Sequence, residues 1–311
     1  MIPRKLSPLK VVLIITTLIV IAWYTIGITA VRNEQTEETP MTQIRDLTNP
    51  ANPFAYTIVT AASSNHFCPL LAFIYALHDT TKAIPSPHKP RVIVYDLGLN
   101  RLEREKLDSV VGRGFAQEVV TFDYAQYPKF WNIHIKRGEY AWKTGIVNEV
   151  AERYGGVVLW MDSGNRVTPQ YLSQVVEHVQ ENGFYSPTSQ GQMKDFTHPG
   201  LFAYFSDSVK RYGTLKNCNG AFIGFDSHNH TVMSKLVKPF LDCGLKQQCI
   251  APRGSSRANH RQDQSVFTYL VVSNGWRCQM DPIPGMKIHQ DQLCQIEIER
   301  RENPDMLEYV D

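Results

Sequence analysis

The sequence lacks a strong charge of either sign. Its 311 residues include 32 Lys and Arg and 30 Asp and Glu, which gives a formal net charge of +2. Proteins dedicated to nucleic-acid binding usually carry a clear basic excess, so this balance argues against a nucleic-acid partner. Internal repeats and low-complexity tracts are also missing. A hydrophobic content of 43% and a charged content of 20% are ordinary for a globular chain with a sizeable core.

Two motifs that mark common hydrolases are missing as well. The sequence contains neither a Gly-x-Ser-x-Gly nucleophile motif nor a His-Glu-x-x-His zinc motif. None of the six cysteines stands in a Cys-x-x-Cys pair, the spacing typical of structural zinc sites. A membrane-anchored hydrolase is therefore the least favoured of the functions considered for this chain.

Charged residues are absent from one long segment, 11–31, which is rich in Val, Ile, Leu and Thr. Because a transmembrane helix needs about 20 apolar residues, this segment predicts a membrane-spanning signal-anchor. Basic residues precede it and an acidic stretch, 34–38, follows it. The positive-inside rule then places the N-terminus in the cytoplasm. The alternative is a signal peptide cleaved near Thr29 and Ala30, although its apolar region is usually only about 7–15 residues long.

We therefore expect a single-pass protein of type II orientation with four parts. Residues 1–10 form a cytoplasmic tail, and 11–31 form the anchor. Residues 32–53 are polar and contain prolines, which is typical of a stem. Residues 54–311 form the luminal domain.

Cysteine placement agrees with a luminal domain. All six cysteines follow the span, at positions 68, 218, 243, 249, 278 and 294. An even number in an oxidising compartment predicts disulfides, and sequence alone cannot choose among the many pairings. Cys243 and Cys249 flank a short loop and are the first candidates for a local bridge. The glycosylation sequon 229–231 is consistent with the lumen.

Apolar runs alternate with helical patterns along the domain. The patterns predict strands at 56–62, 91–96, 118–122, 157–161 and 221–225, and helices at 67–78, 102–111, 140–154 and 263–272, with another opening at Thr168-Pro169. Alternation of this kind predicts an α/β domain with a mainly parallel, doubly wound sheet.

The central strand ends in a distinctive way. Its unbroken apolar run, 157–161, predicts a strand buried on both faces, and Asp162, Ser163 and Gly164 follow at once. Ligands of open α/β sheets bind at the carboxyl ends of such strands. An acid there can hold a metal or a sugar hydroxyl, and a glycine allows close approach of the backbone. The alternative is an ordinary Asp-Ser-Gly turn.

Four segments, in this order and spacing, resemble a glycosyltransferase of the GT-A fold. They are YTIVTAA at 56–62, YAWK at 140–143 with the helix that leads to VLWMDSG at 158–164, NGAFIGF at 219–225, and HRQDQ at 260–264. The set is similar to the glycogenin-like family (glycosyltransferase family 8) and to related galactosyltransferase-like domains of uncharacterised activity. The resemblance implies a Rossmann-like, mainly parallel sheet with helices on both faces, the nucleotide-diphospho-sugar transferase architecture.

The resemblance also implies an activity. A type II enzyme of the Golgi membrane would transfer a hexose from a nucleotide sugar, UDP-sugar above all, to a glycan or glycoprotein, with retention of anomeric configuration. Catalytic roles fall on Asp162, Asp263 and Gln264. Substrate-binding roles are expected for nine further positions: Thr60, Ala61, Asp96, Lys143, Ser163, Gly164, Asn219, Gly220 and Lys287.

Three of these positions also have a structural interpretation. Lysines are mostly exposed, so Lys143 could simply be solvated. An acid such as Asp263 is favourable in the first turn of a helix. Asn219 before Gly220 is typical of a turn.

Metal dependence is the least settled expectation. An Asp-x-Asp motif supplies two carboxylates to a divalent cation, but here the third position is Gly164. The family often adds a late histidine ligand to Mn²⁺, which His289 could be, so Asp162 and His289 form a reduced candidate site. The alternative for His289 is a loop histidine hydrogen-bonded to the backbone. Without a metal, Lys143, Lys287 and the arginines of loop 253–261 could hold the diphosphate. Gly164 also supports an alternative function, a catalytically inactive luminal binding or scaffold protein.

Overall fold

The centre of the fold is a six-stranded mixed sheet. The computed structural model describes residues 54–85 and 88–303. Strands within these ranges are β1 (Tyr56–Ala62), β2 (Pro90–Asp96), β3 (Glu118–Thr121), β4 (Val157–Met161), β5 (Arg166–Val167), β6 (Phe184–Tyr185), β7 (Thr188–Gln192), β8 (Lys216–Cys218), β9 (Phe222–Asp226) and β10 (Met286–Lys287). The order across the main sheet is β3-β2-β1-β4-β9-β6.

The sheet is mostly parallel, as the sequence predicts. Strands β3, β2, β1 and β4 run parallel to their neighbours. Strand β9 is antiparallel to β4, and β6 is antiparallel to β9. Two small antiparallel pairs, β5 with β10 and β7 with β8, lie outside it. The antiparallel edge of the main sheet is the part that simple strand–helix alternation does not predict.

Six longer helices accompany the sheet: α1 (Phe67–Thr81), α2 (Arg101–Gly112), α3 (Trp142–Tyr154), α4 (Pro169–Asn182), α5 (Gln262–Ser273) and α6 (Cys294–Glu302). Short helical segments lie at Ser64–His66, Tyr124–Gln126, Lys129–Trp131, Lys136–Tyr140, Met193–Phe196, Pro199–Tyr204, Val209–Tyr212, His230–Val232, Met233–Val237, Lys238–Gly244, Gln247–Ile250 and Asp291–Leu293. The helix predicted over 140–154 starts two residues later, because Tyr140 has a φ of 55°, which a right-handed helix excludes.

Helices cover both faces of the sheet. Successive residues of a strand point to opposite faces, and in β1 Ile58 packs with apolar residues of α1, α2 and α4 while Val59 packs with those of α3 and α5. Burial on both sides explains why β1 and β4 are uninterrupted apolar runs. Two cores therefore sandwich the sheet and fix its carboxyl edge.

Local sequence signals set several helix ends. Thr168 caps α4, its hydroxyl accepting from the backbone N–H of Tyr171, and Pro169 takes the first helical position. Gly183 ends α4 with a φ of 84°, which glycine adopts without strain. The predicted start of α4 at Thr168-Pro169 is confirmed.

Three disulfides join the six cysteines. The local bridge Cys243–Cys249 is present, as predicted from its spacing. The other two, Cys68–Cys294 and Cys218–Cys278, connect distant parts of the chain. The first ties α6 to α1, so the C-terminal helix belongs to the folded domain.

Helices long and apolar enough to cross a bilayer are not found in residues 54–85 and 88–303. The predicted tail 1–10, anchor 11–31 and stem 32–53 all lie outside the described residues.

Candidate functional site

A cavity of about 680 Å³ opens at the carboxyl edge of the parallel strands. Ala61 and Ala62 reach it from the end of β1, and Asp162 follows β4 into it. Gly220 lies in the turn before β9 and also lines the cavity. Because β9 is antiparallel to β4, the start of β9 lies beside the end of β4. The volume falls in the range of small-molecule sites, about 300–1,000 Å³, and the location is the one where α/β sheets bind ligands.

The floor of this cavity is an ion-pair cluster around Lys143, which we call the floor cluster and define as Lys143, Asp162 and Asp263. The Lys143 ammonium lies 2.6 Å from Asp263 Oδ2 and 3.2 Å from Asp162 Oδ1. It also donates to the carbonyl of Gly220 at 3.0 Å. Since an ammonium has three protons, these three acceptors satisfy it completely.

Burial differs sharply within the floor cluster. Lys143 is 3% exposed and Asp263 is 5% exposed, whereas the Asp162 side chain is 41% exposed. The interpretation of Lys143 as a solvated lysine is therefore wrong. Asp162 is the member of the cluster that a ligand can reach.

Electrostatics keep the floor lysine charged. Burial alone would lower the pKa of Lys143, but the charges and hydrogen bonds of Asp162 and Asp263 outweigh it and raise that pKa above its ordinary value. Burial raises the pKa of the Asp263 carboxyl, and the ammonium of Lys143 opposes that rise. The floor cluster thus holds a permanent cation between two acids.

Two glycines stand where the backbone must pass closely. A side chain at Gly220 would bring a Cβ within 2.9 Å of Gln264 Cβ, so glycine lets the turn before β9 approach α5. A Cβ at Gly164 would lie 2.7 Å from Asp291 Oδ2. Asp291, which sequence reasoning missed, therefore occupies the space beside Gly164.

Most of the predicted site residues lie together on the cavity lining. These are Ala61, Lys143, Asp162, Ser163, Gly164, Asn219, Gly220, Asp263, Gln264 and His289. Two of them also make local contacts. Gln264 donates to the carbonyl of Cys218 at 2.7 Å, and the Asn219 amide oxygen accepts from the N–H of Ala221. The latter bond fits the turn interpretation of Asn219.

Three predicted residues do not line the cavity: Thr60, Asp96 and Lys287. Thr60 is fully buried in β1, and its hydroxyl has no hydrogen-bond partner within the described ranges. Asp96 accepts from the backbone of Gly98 and Leu99 and pairs with Arg104 at 3.1 Å, so it organises the turn after β2. Lys287 is exposed on β10.

One oxygen of Asp162, an expected metal ligand, already has two partners. Asp162 Oδ1 already accepts from Trp160 Nε1 at 2.7 Å and from the Lys143 ammonium at 3.2 Å. A divalent cation on this oxygen would stand beside a fixed positive charge. Within 54–85 and 88–303, no group of three or more His, Cys, Asp or Glu side chains is placed to hold a metal ion. Asp162 and His289 both line the cavity, and their metal-binding role stays a prediction.

Three arginines form a basic rim around the cavity: Arg137, Arg257 and Arg261. We call them the arginine rim. Arg257 and Arg261 belong to the loop where cations were expected. Arg137 was missed, because its approach depends on an unusual backbone turn that the sequence does not signal.

Fold and site together define an α/β protein with a polar, basic cavity at the carboxyl edge of a mostly parallel sheet. No family model matches the sequence, and no curated protein sequence matches it at a significant level.

Several solved structures that are similar to this chain are glycosyltransferases. The galactosyltransferase LgtC, in complex with donor and acceptor sugar analogues, is 15% identical, with 68% of each chain covered and a TM-score of 0.40. Mouse xyloside xylosyltransferase 1 is 11% identical, with 73% of this chain and 85% of that chain covered and a TM-score of 0.46. The bifunctional WbbM is 12% identical, with 75% and 40% covered and a TM-score of 0.46. These values establish no family for this chain.

Proposed function

We propose that this chain is a glycosyltransferase that moves a hexose from a nucleotide sugar, with UDP-sugar as the donor, to a glycan or glycoprotein. The observation that carries the proposal is the floor cluster beneath the arginine rim in one cavity. Carboxylates accept hydrogen bonds from sugar hydroxyls, and guanidinium groups bind phosphate oxygens. A nucleotide sugar carries both chemical groups next to each other.

The reaction makes and breaks one bond at the anomeric carbon. The acceptor hydroxyl oxygen bonds to that carbon while the bond from the carbon to the phosphate oxygen breaks, and its electron pair stays on the diphosphate. The acceptor proton leaves to the departing diphosphate. Cations stabilise the charge that develops there, a task for the arginine rim. The exposed oxygen of Asp162 and the side chain of Gln264 orient the sugar.

The proposal extends to the setting of the enzyme. We place the domain in the Golgi lumen, anchored by residues 11–31 in a type II orientation, because the three disulfides require an oxidising compartment. The sequon at 229–231 supports the same side of the membrane.

Donor turnover by the purified full-length chain tests the function. A panel of nucleotide sugars with a mixed glycan acceptor should reveal release of nucleoside diphosphate with at least one donor. Asp162→Asn should reduce that release at least 100-fold, since it removes the charge of the acid that the ligand can reach. The matched control is Asp281→Asn, the same change at an exposed residue outside the cavity lining, which should retain full activity.

A second function is favoured by one observation. Gly164 replaces the second motif acid, and Asp291 fills the space beside it. A luminal protein that binds nucleotide sugars without chemistry would be consistent with that change. Tight donor binding with no diphosphate release across the acceptor panel would favour this function over transfer.

A further inference from the structure

The arginine rim lacks acidic partners. Within the described residues, no carboxylate lies within ion-pair distance of Arg137, Arg257 or Arg261, whereas Lys143 below them is fully paired. Their contacts are aromatic instead. Arg257 lies 5.0 Å from the ring centre of Tyr140, Arg261 lies 3.6 Å from that of Phe196, and Arg137 donates to the Tyr140 hydroxyl at 3.0 Å. The rings hold the guanidinium groups without neutralising them.

Two of these charges act on each other. Burial lowers the pKa of Arg261, and the positive charge of Arg257 lowers it further. Like charges that act on each other are unfavourable when no carboxylate lies within ion-pair distance. The buried Asp263 carboxylate acts on Arg257 from beyond that distance. An anion bound between them would remove this repulsion.

A strained turn brings the third arginine to the rim. Residues 136–140 all have positive φ, with 60° at Arg137 and 55° at Tyr140. L-residues other than glycine rarely adopt this left-handed backbone conformation. It persists only where surrounding contacts impose it. Here it aims both Arg137 and Tyr140 at the cavity.

Close packing and one long-range hydrogen bond hold that turn. Gly138 packs so closely that a Cβ there would lie 2.2 Å from the carbonyl oxygen of Trp131. The buried Glu139 accepts from Gln262 Nε2 at 3.1 Å, and Gln262 itself has a φ of 29°. Gln262 begins α5, the helix that carries Asp263. One hydrogen bond therefore joins the turn at 136–140 to Gln262, the residue that precedes Asp263.

From this geometry we propose that Arg137, Arg257 and Arg261 form a clamp for the diphosphate of the donor, and that with Lys143 as a fixed internal cation the site binds its nucleotide sugar without a divalent metal. The inference rests on the proposed function and adds how its anionic leaving group is held. Arginine suits the task because its planar fork of donors matches phosphate oxygens in pairs. Such a clamp stabilises the developing charge on the diphosphate.

Binding of UDP and of inorganic pyrophosphate to the full-length chain tests the clamp directly. Calorimetric titrations in EDTA, and again in Mn²⁺, should give similar affinities. Arg257→Gln should weaken UDP binding about tenfold or more, because it removes charge-assisted hydrogen bonds. Arg253→Gln is the matched control, an exposed arginine of the same loop that does not line the cavity, and its affinity should be unchanged.

A second variant distinguishes loss of ligand binding from misfolding. Arg137→Asn removes the guanidinium from the turn, and asparagine adopts positive φ more readily than most residues. Its melting temperature should stay near that of the unchanged chain while its affinity for UDP and pyrophosphate falls. Agreement of the two variants, with Arg253→Gln unaffected, supports the clamp.

Other outcomes separate the clamp from the function. UDP binding and donor turnover that require Mn²⁺ and disappear in EDTA would overturn the clamp and leave sugar transfer standing. Pyrophosphate and UDP binding in EDTA with no turnover of any donor would support the clamp and count against transfer. Absence of UDP and pyrophosphate binding, with and without metal, would overturn both.

Discussion

The floor and the rim of the cavity are built in opposite ways. On the floor, Lys143 is buried, charged and fully paired with Asp162, Asp263 and the carbonyl of Gly220. On the rim, Arg257 and Arg261 pack against aromatic rings and Arg137 donates to the Tyr140 hydroxyl. None of the three has an acid within ion-pair distance in the described residues. A satisfied buried cluster fixes geometry, whereas unpaired surface cations are available to a ligand. From this contrast we infer that the floor cluster positions a ligand and the arginine rim binds it.

Breaking the floor should have the largest effect. Lys143→Met leaves the buried Asp263 carboxylate without its cation, and removal of one partner of a buried pair costs about 3–5 kcal/mol. We expect that loss of unfolding free energy in urea denaturation at pH 7, together with loss of donor turnover. The double variant Lys143→Met with Asp263→Asn removes both charges and should recover most of the stability but none of the turnover.

The stability of the single variant Lys143→Met should depend on pH in a defined direction. Without the ammonium, burial and the charge of Asp162 raise the pKa of Asp263, and the smaller effect of the Arg257 charge opposes that rise. The stability deficit of the single variant should be small below the ordinary carboxyl pKa of about 4, where Asp263 is protonated both folded and unfolded. It should grow as the pH rises toward the raised pKa of the folded state. A deficit that does not change with pH would contradict this assignment.

Breaking the turn beneath the rim should have an intermediate effect. Gly138→Ala places a Cβ 2.2 Å from the carbonyl oxygen of Trp131 at a φ of 63°, and such strain costs about 1–3 kcal/mol. We expect that loss in thermal unfolding, and weaker UDP binding because Arg137 and Tyr140 shift. Gly114→Ala is the matched control, since its φ is 84° and no atom lies within 4 Å of the added Cβ. It should lose stability only and keep its UDP affinity.

The smallest effect should come from a lysine that the sequence assigned to the substrate. Lys287 is exposed and does not line the cavity. Lys287→Gln should change stability by less than about 0.5 kcal/mol and leave UDP affinity unchanged by titration. A clear loss of UDP affinity would show that the cationic site extends beyond the arginine rim to Lys287.

The parts of the molecule that local rules govern could be predicted from the sequence. Strand and helix order, the Thr168-Pro169 start of α4 and the Cys243–Cys249 bridge follow from short patterns. Lys143, Asp162 and Asp263, which the resemblance names as site residues, lie together in one cavity.

The parts that long-range contacts govern could not be predicted. The left-handed turn at 136–140 depends on a hydrogen bond from Gln262, which no local pattern links to it. Asp291 reaches Gly164 from 127 positions further along the chain. The sequence does not show which partners Asp96 has, because an acid at a strand end can serve a ligand or its own turn. Here its carboxylate accepts from the backbone of the turn and pairs with Arg104.

The structure of the full-length chain bound to a UDP-hexose would test most directly whether the floor cluster positions the donor and the arginine rim binds it. We predict the diphosphate oxygens within hydrogen-bond distance of Arg137, Arg257 and Arg261, and a sugar hydroxyl on the exposed oxygen of Asp162. A diphosphate held away from the arginine rim, or one bridged to Asp162 and His289 by a metal ion, would contradict the division between a positioning floor and a binding rim.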